Sequence, residues 1–533
     1  MSRLTESKQW ETLQEHYFNI KNLKLKDIFE YDEDRFERFS FELENITFDL
    51  SKNRINFDTI NHLISLAKFT KVFRTIPKLF DDNELNSTEK KAVLHTALRD
   101  FSDNQIHHEY INIKSFILAE LERVKKISDK INAGEWLSST GDVITDVVYI
   151  GIGGSFLGPK LVTEALTDYH KEDVFVHFVS NIDDRDLNSV LPYLEAESTL
   201  FILCSKSFET EETLTNGNTA KLWLADNGID EDKVLDHFIS ITTQEEKALK
   251  FGIKKENILE IWDWVGGRFS VWSAVGLPIA IQCGYDVFEE FLKGAESVDK
   301  HFCETDAQEN IPILLALIDI WHINFHGISS RSVFTYNQYL EELPNYIQQL
   351  ETESNAKRVD KKGEKVDYNT AVPVWGGLGT NMQHSVFQMI HQGTSFIPVE
   401  LIAVSKSNRR TTHNRKLLSN FLAQSKALMN GKQKIEVNDG DLNKVFSGNI
   451  PSTSILIKEI TPKTIGALLA VYEHKVFTMG LIWNINSFDQ FGVELGKEIA
   501  SDLEAIMTSG SNSKSNDSST DALLKMIIDD NNY

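Results

Sequence analysis

Cysteine is scarce: Cys204, Cys283 and Cys303 are the three in a chain of 533 residues. They are too few and too scattered for a disulfide framework or a zinc cluster. Cys204 ends an apolar run and reads as a small core residue. Positive charge is short as well. Lys and Arg number 55 against 79 Asp and Glu, a formal net charge of −24. That balance argues against a polyanion such as DNA, or an anionic membrane, as the main partner. A small anion bound at a local site remains compatible with it. No window approaches the roughly 18 uninterrupted apolar residues of a spanning helix. The N-terminal MSRLTESKQWETL lacks the charged-then-apolar pattern of a secretion signal, so a cytoplasmic location is expected.

What is present is an ordinary globular composition, 41% hydrophobic and 25% charged, long enough for two to four domains of roughly 100–200 residues each. Residues 1–135 read as mostly helical; IKSFILAELERVKKISDKI (113–131) carries Phe116, Ile117, Leu121, Val124 and Ile127 on one face. Short β-rich runs then follow at 143–150, 174–180, 199–203 and 237–241, separated by helical segments. That rhythm predicts a doubly wound parallel sheet. A second set, with strands expected at 332–336, 371–375, 396–404 and 453–457, begins after the apolar helix 311–325 and ends in a long helix at 464–483. The fold class is therefore α/β, with two successive sets of similar size. The polar stretch 431–449 reads as a surface excursion or an arm that clasps a second subunit. The segment 509–520 is low-complexity, and 521–528 could dock as a helix.

The most informative stretch is TLFILCSKSFETEETLTN (199–216). A buried strand ends at Ser205, and Ser207, Thr210 and Thr213 follow into a helical pattern. Several hydroxyls, Lys206 and free N–H groups at a helix N-terminus exceed the needs of a helix cap and suit a phosphate. GIGGSFLGPK (151–160) also follows a strand and opens a helix. It fails the dinucleotide fingerprint, since Phe156 stands where a third glycine is required. It fails the phosphate-loop pattern too, since Pro159 replaces the lysine. What remains is a backbone that a ligand can approach at Gly153–Ser155, with Ser155 as a donor.

VGGRFSVWSAVGLPIAI (265–281) sets paired glycines before Arg268, a permanent cation able to stabilise an oxyanion without exchanging protons. YIQQLETESNAKRV (346–359) puts Gln349 and Glu353 four apart, on one helical face. Read alone, Glu353 is an ordinary solvated carboxylate. In WGGLGTNMQHSVFQMIHQGT (375–394), His384 falls at a loop-to-helix junction, where it could carry a proton, and His391 reads as structural. Their spacing of seven does not match a metal pair at i, i+4. Lys497, in SFDQFGVELGKEIA (487–500), would by itself be read as solvent-exposed.

Six of these segments, in this order and spacing over about 140–505, closely resemble the glucose-6-phosphate isomerase family. The resemblance implies two sugar-isomerase domains, each an α/β/α sandwich with a parallel-type sheet, plus a helical N-terminal segment and a C-terminal arm. The boundaries it suggests are 1–120, 121–290, 291–506 and 507–533. It implies a homodimer with sites at the subunit interface and a small-molecule sugar phosphate as substrate, with no metal or organic cofactor. It implies reversible conversion of glucose 6-phosphate and fructose 6-phosphate through a cis-enediolate. By the same resemblance, Ser155, Ser205, Lys206, Ser207 and Thr210 hold the phosphate, with Gly154 and Gly267 at the substrate. Glu353 is the base, Arg268 stabilises the enediolate, and Gln349 contacts the sugar. His384, from the neighbouring subunit, and Lys497 assist ring opening. Departures from the family wording fall at Glu209, Glu211, Leu378 and Met382; two carboxylates beside a phosphate should repel it unless they point away. An isomerase that also accepts mannose 6-phosphate, and a silent sugar-phosphate sensor, are the rival readings. The presence of Glu353, Arg268, His384 and Lys497 speaks against the sensor.

Overall fold

The computed structural model of the chain describes residues 3–81, 84–406, 411–433, 441–509 and 517–531. Within residues 1–488, which form one compact unit, two sheets carry the architecture. The first sheet consists of β3 (Asp146–Ile150), β4 (Phe175–Val179), β5 (Thr199–Cys204), β6 (Phe238–Thr242) and β7 (Ile258–Glu260), all parallel, in the order β4-β3-β5-β6-β7. The run TLFILC is buried at every position, as expected of a parallel strand covered on both faces. The chain leaves β3 toward one edge and returns to its other side as β5. The strand order thus reverses between β3 and β5, and a ligand crevice is expected at the carboxyl ends of these two strands.

The second sheet is mixed. β8 (Arg331–Tyr336), β9 (Val374–Leu378), β10 (Val399–Val404) and β11 (Ser452–Ile457) are parallel to one another. Against β11 packs an antiparallel hairpin from the N-terminal region, β1 (Ser40–Leu43) and β2 (Ile46–Asp49). Residues 1–135 are mostly helical, as expected, but this hairpin interrupts them. Glu44 and Asn45 form a two-residue turn with φ of 49° and 61°, the geometry that joins tight hairpins, and Ile46 and Phe48 are buried on the same face of β2.

Three helices position the candidate site: α1 (Gly154–Ala165) after β3, α2 (Glu211–Asp226) after β5, and α3 (Leu343–Asn355). Through the core runs α4 (Pro462–Ile482). Its length and mean hydropathy of 1.3 would suffice to cross a membrane, yet the whole apolar window is buried inside the fold. Glu473, His474 and Lys475 lie in its middle, each with buried ionic partners. The helix belongs to the core of a globular fold.

A second compact unit, residues 489–533, contains α5 (Glu494–Ser509) and α6 (Ser518–Asn531). The low-complexity segment expected at 509–520 falls largely outside the described residues. So does much of the 431–449 excursion, whose base is closed by an antiparallel bridge between Lys432 and Phe446.

Candidate active site

The glycine loop after β3 and the hydroxyl loop after β5 leave neighbouring parallel strands at the same edge. The N-termini of α1 and α2 therefore open into one crevice. Gly153 takes φ of 58° before α1, a conformation that glycine adopts without steric cost. Pro159 sits inside α1 and has no N–H to give to the carbonyl of Ser155. The buried phenol of Tyr149 donates to that carbonyl instead, at 2.8 Å. Strand β3 thereby fixes the first turn of the helix that follows it.

Gly154 makes the closest approach in the site. A Cβ there would lie 2.2 Å from the carbonyl carbon of Gly267 and 2.5 Å from the backbone N of Arg268. The glycine loop and the arginine loop thus touch backbone to backbone. A Cβ at Gly153 would come within 3.2 Å of Gln349 Nε2, so α3 closes the third side.

On α3, Gln349 Nε2 donates to Glu353 Oε2 at 3.0 Å, the one-face geometry expected of i, i+4. Arg268 Nη1 lies 3.7 Å from the same Glu353 oxygen, with side-chain exposures of 1% and 18%. The guanidinium is held from behind. Its Nε donates to Ser354 Oγ and its Nη2 to the carbonyl of Ser487, both at 2.6 Å. Ser487 Oγ donates to Asn355 Oδ1 at 2.7 Å. A permanent cation is therefore fixed beside a partly open carboxylate. Ser354, Asn355 and Ser487 are positioning residues that the sequence reading passed over. Ser354 and Asn355 close α3, and Ser487 follows shortly after the end of α4.

In the hydroxyl loop, Ser205 Oγ donates to Thr210 Oγ1 at 2.9 Å, and the Glu209 N–H donates to Ser207 Oγ at 3.3 Å. Phe208 takes φ of 49°, unusual for a bulky residue. Its ring is buried in the core cluster beneath the sheet, edge-on to Phe251 at 5.8 Å. Burial of this ring holds the strained backbone in place. Thr213 Oγ1 is buried without a hydrogen-bond partner among the described residues, in the first turn of α2.

Lys206 Nζ donates to the carbonyls of Asp263 and Val265 at 3.0 and 2.8 Å, lacing the hydroxyl loop to the segment just before Gly267. Burial holds its ammonium below the usual lysine range, with the Asp263 carboxylate opposing. The two unexpected carboxylates differ in setting. Glu209 Oε1 pairs with Lys247 Nζ at 2.6 Å, and Glu211 opens α2, where a negative charge complements the helix dipole.

The structure thus brings together Gly154, Gly267, Arg268, Gln349 and Glu353, with Ser155 on α1 and Ser205, Lys206, Ser207 and Thr210 on the adjoining loop. His384 is exposed at the end of a short helix, Gly379–Gln383. Its ring makes no hydrogen bond or ion pair among the described residues, and it is not joined to the Arg268–Glu353 pair. Lys497 lies in the second unit, on α5, a helix with no buried residue. His391 Nε2 lies 3.2 Å from Gln424 Oε1, in keeping with a structural residue.

The model of one family, phosphoglucose isomerase, matches residues 49–524. The chain belongs to the phosphoglucose isomerase family. It is 44% identical to the glucose-6-phosphate isomerase of Chlorobium luteolum over 536 residues, covering 98% of this chain and 97% of that one. It is likewise 44% identical to the glucose-6-phosphate isomerase of Methylococcus capsulatus over 540 residues, covering 98% and 99%. A crystal structure of a glucose-6-phosphate isomerase from Chlamydia trachomatis is similar with a TM-score of 0.86, at 30% identity and 99% coverage of both chains. The family resemblance expected from the six motifs is borne out, as is the α/β fold class.

Proposed function

We propose that Glu353 and Arg268 are the proton-transfer pair of this isomerase, which interconverts glucose 6-phosphate and fructose 6-phosphate. The observation that carries the reading is the 3.7 Å separation of the buried Arg268 guanidinium from the Glu353 carboxylate. That arrangement suits abstraction of a proton next to a carbonyl, where a base and a fixed cation must act on adjacent atoms.

The phosphate binds among Ser155, Ser205, Ser207 and Thr210 at the N-termini of α1 and α2, with Lys206 adding positive charge from behind its loop. This remote anchor places the reacting carbons at the pair. Glu353 takes the C2 proton of the open-chain aldose, and the electron pair moves onto O1, giving a cis-enediolate beside Arg268. The O2 proton passes to O1, and Glu353 returns its proton to C1, leaving a C2 carbonyl. C1 is reduced as C2 is oxidised, so electrons balance within the sugar. Gln349 holds Glu353 in place and contacts the substrate, and Gly154 and Gly267 let the sugar approach the backbone. Ring opening falls to His384 of the partner subunit in a homodimer, with Lys497 at the ring oxygen. A cytoplasmic location belongs to the same proposal.

The test is fructose 6-phosphate formation from glucose 6-phosphate by wild type and Glu353→Gln. The variant should lose about 10³-fold in kcat while retaining the folded far-UV circular dichroism and sugar-phosphate affinity of wild type. Near-normal turnover would overturn the assignment of the base.

A further inference from the structure

Helix α4 sits behind both members of the pair, and its buried charges reach each of them separately. Glu473 and Lys475 are two residues apart, so they leave the helix on opposite sides. On one side, Glu473 Oε1 accepts from Trp272 Nε1 at 2.8 Å, and Glu473 Oε2 accepts from Arg99 Nη1 at 2.6 Å. Arg99 makes a two-pronged pair with Asp299 at 2.8 Å for both bonds, and Asp299 Oδ1 also lies 2.6 Å from His474 Nε2. Trp272 lies four residues beyond Arg268, packed flat on Phe291 at 4.6 Å and beneath the Arg99 guanidinium at 4.4 Å. This side fixes the segment that carries the arginine.

On the other side, Lys475 Nζ pairs with Glu351 Oε1 at 2.8 Å and with Asp319 Oδ2 at 2.6 Å. Arg331 completes the cluster through both oxygens of Glu351 and lies near Asp319 and Glu400. Glu351 lies two residues before Glu353 on α3, facing inward while Glu353 faces the crevice. This side fixes the helix that carries the base. Next to Lys475, the Val476 carbonyl accepts from Asn355 Nδ2 at 2.8 Å, and Asn355 in turn binds the Ser487 that holds Arg268.

Buried ion pairs are poor stabilisers, because removing two charges from water costs about what their attraction returns. Two clusters within three residues of one helix need another reason, and their targets supply it. We infer that the Glu473–Lys475 segment is a rigid spacer that sets the Arg268–Glu353 separation, with Glu473, Trp272, Lys475 and Glu351 as positioning residues for the isomerisation. The inference rests on the roles assigned to Arg268 and Glu353. No residue of the spacer contacts the sugar, so its failure should appear in the chemical step and not in substrate affinity.

The decisive panel is Trp272→Phe, Lys475→Met, Lys475→Arg and Glu353→Gln, assayed for kcat and KM with fructose 6-phosphate on protein of wild-type near-UV circular dichroism. A displacement of about 1 Å in a catalytic pair costs about 10²-fold. Trp272→Phe and Lys475→Met should therefore each lower kcat by at least about tenfold, with KM within about twofold of wild type. Lys475→Arg should recover most of the loss. If Trp272→Phe and Lys475→Met keep kcat within about twofold while only the melting temperature falls, the clusters are merely structural and the inference is wrong. A rise in KM at constant kcat would overturn it equally. If Lys475→Met does not fold, Trp272→Phe decides by the same criteria. Glu353→Gln separates the two failures: activity retained there discards the pair itself, and activity lost there with an unaffected Trp272→Phe discards the spacer alone.

Discussion

A methyl group added at position 154 and one added at position 267 should have opposite consequences. At Gly154 it would meet the Gly267–Arg268 backbone at 2.2–2.5 Å, whereas at Gly267 nothing lies within 4 Å. Gly154→Ala must push two loops apart and should lower both the melting temperature and kcat. Gly267→Ala should keep the melting temperature of wild type and raise KM, because the open space there is where the sugar is proposed to lie. An unchanged KM in Gly267→Ala would remove that glycine from the substrate site. At this scale the sequence was legible wherever a residue type is rare in its setting: an arginine behind paired glycines, or four hydroxyls after a buried strand. It was illegible wherever the role depends on a partner distant in the chain. Nothing local marks Ser487 as the residue whose carbonyl holds Arg268, 219 positions away. Nor does anything near Lys206 announce that its ammonium is engaged with the carbonyls of Asp263 and Val265.

Helix α1 can tolerate Pro159 because Tyr149 supplies the hydrogen bond that proline omits. Tyr149→Phe takes the donor from a partly buried carbonyl, which should cost about 1 kcal/mol. It should also loosen the first turn that bears Ser155, detectable as a lower urea midpoint together with weaker inhibition by inorganic phosphate. A midpoint equal to that of wild type would contradict this account. The four parallel strands of each expected set were readable because continuous apolar runs bounded by turn residues have few other uses. The hairpin β1–β2 was missed. Phe41, Leu43, Ile46 and Phe48 do alternate, but Glu44–Asn45 lacks the glycine that usually announces a two-residue turn, and the flanking sequence is strongly helical. The strand that stabilises it, β11, lies about 400 residues away, beyond the reach of any local pattern.

For the whole molecule, two predictions concern assembly and acid. In a homodimer whose site takes His384 from the partner subunit, Glu353→Gln and His384→Ala homodimers are each defective, while a mixed dimer holds one intact site. Refolding them together at equal amounts should restore about one quarter of wild-type activity, eluting at twice the chain mass of 60.7 kDa. No recovery would place His384 in its own subunit's site. One contribution to acid sensitivity comes from His322, which burial holds down to about 3, with the cations of Arg54, Arg331 and Lys475 pushing the same way. Unfolded, the ring takes a proton near pH 6.5. Its stabilising contribution is therefore complete above that value and is lost as pH falls from 6.5 toward 3. At pH 5 the loss is about 2 kcal/mol. In His322→Phe the fall in urea-derived stability between pH 7 and pH 5 should be shallower by that amount; parallel curves would refute it. The pairing of Asp49 with Ser454 also has a consequence for biosynthesis. At about 5–20 residues per second, the ribosome needs roughly 20–80 s to deliver β11 after β2 has emerged. For that interval the nascent hairpin holds an open, apolar edge. The first sheet, which draws on residues 146–260 alone, can close long before, so translation itself orders the assembly of the two halves.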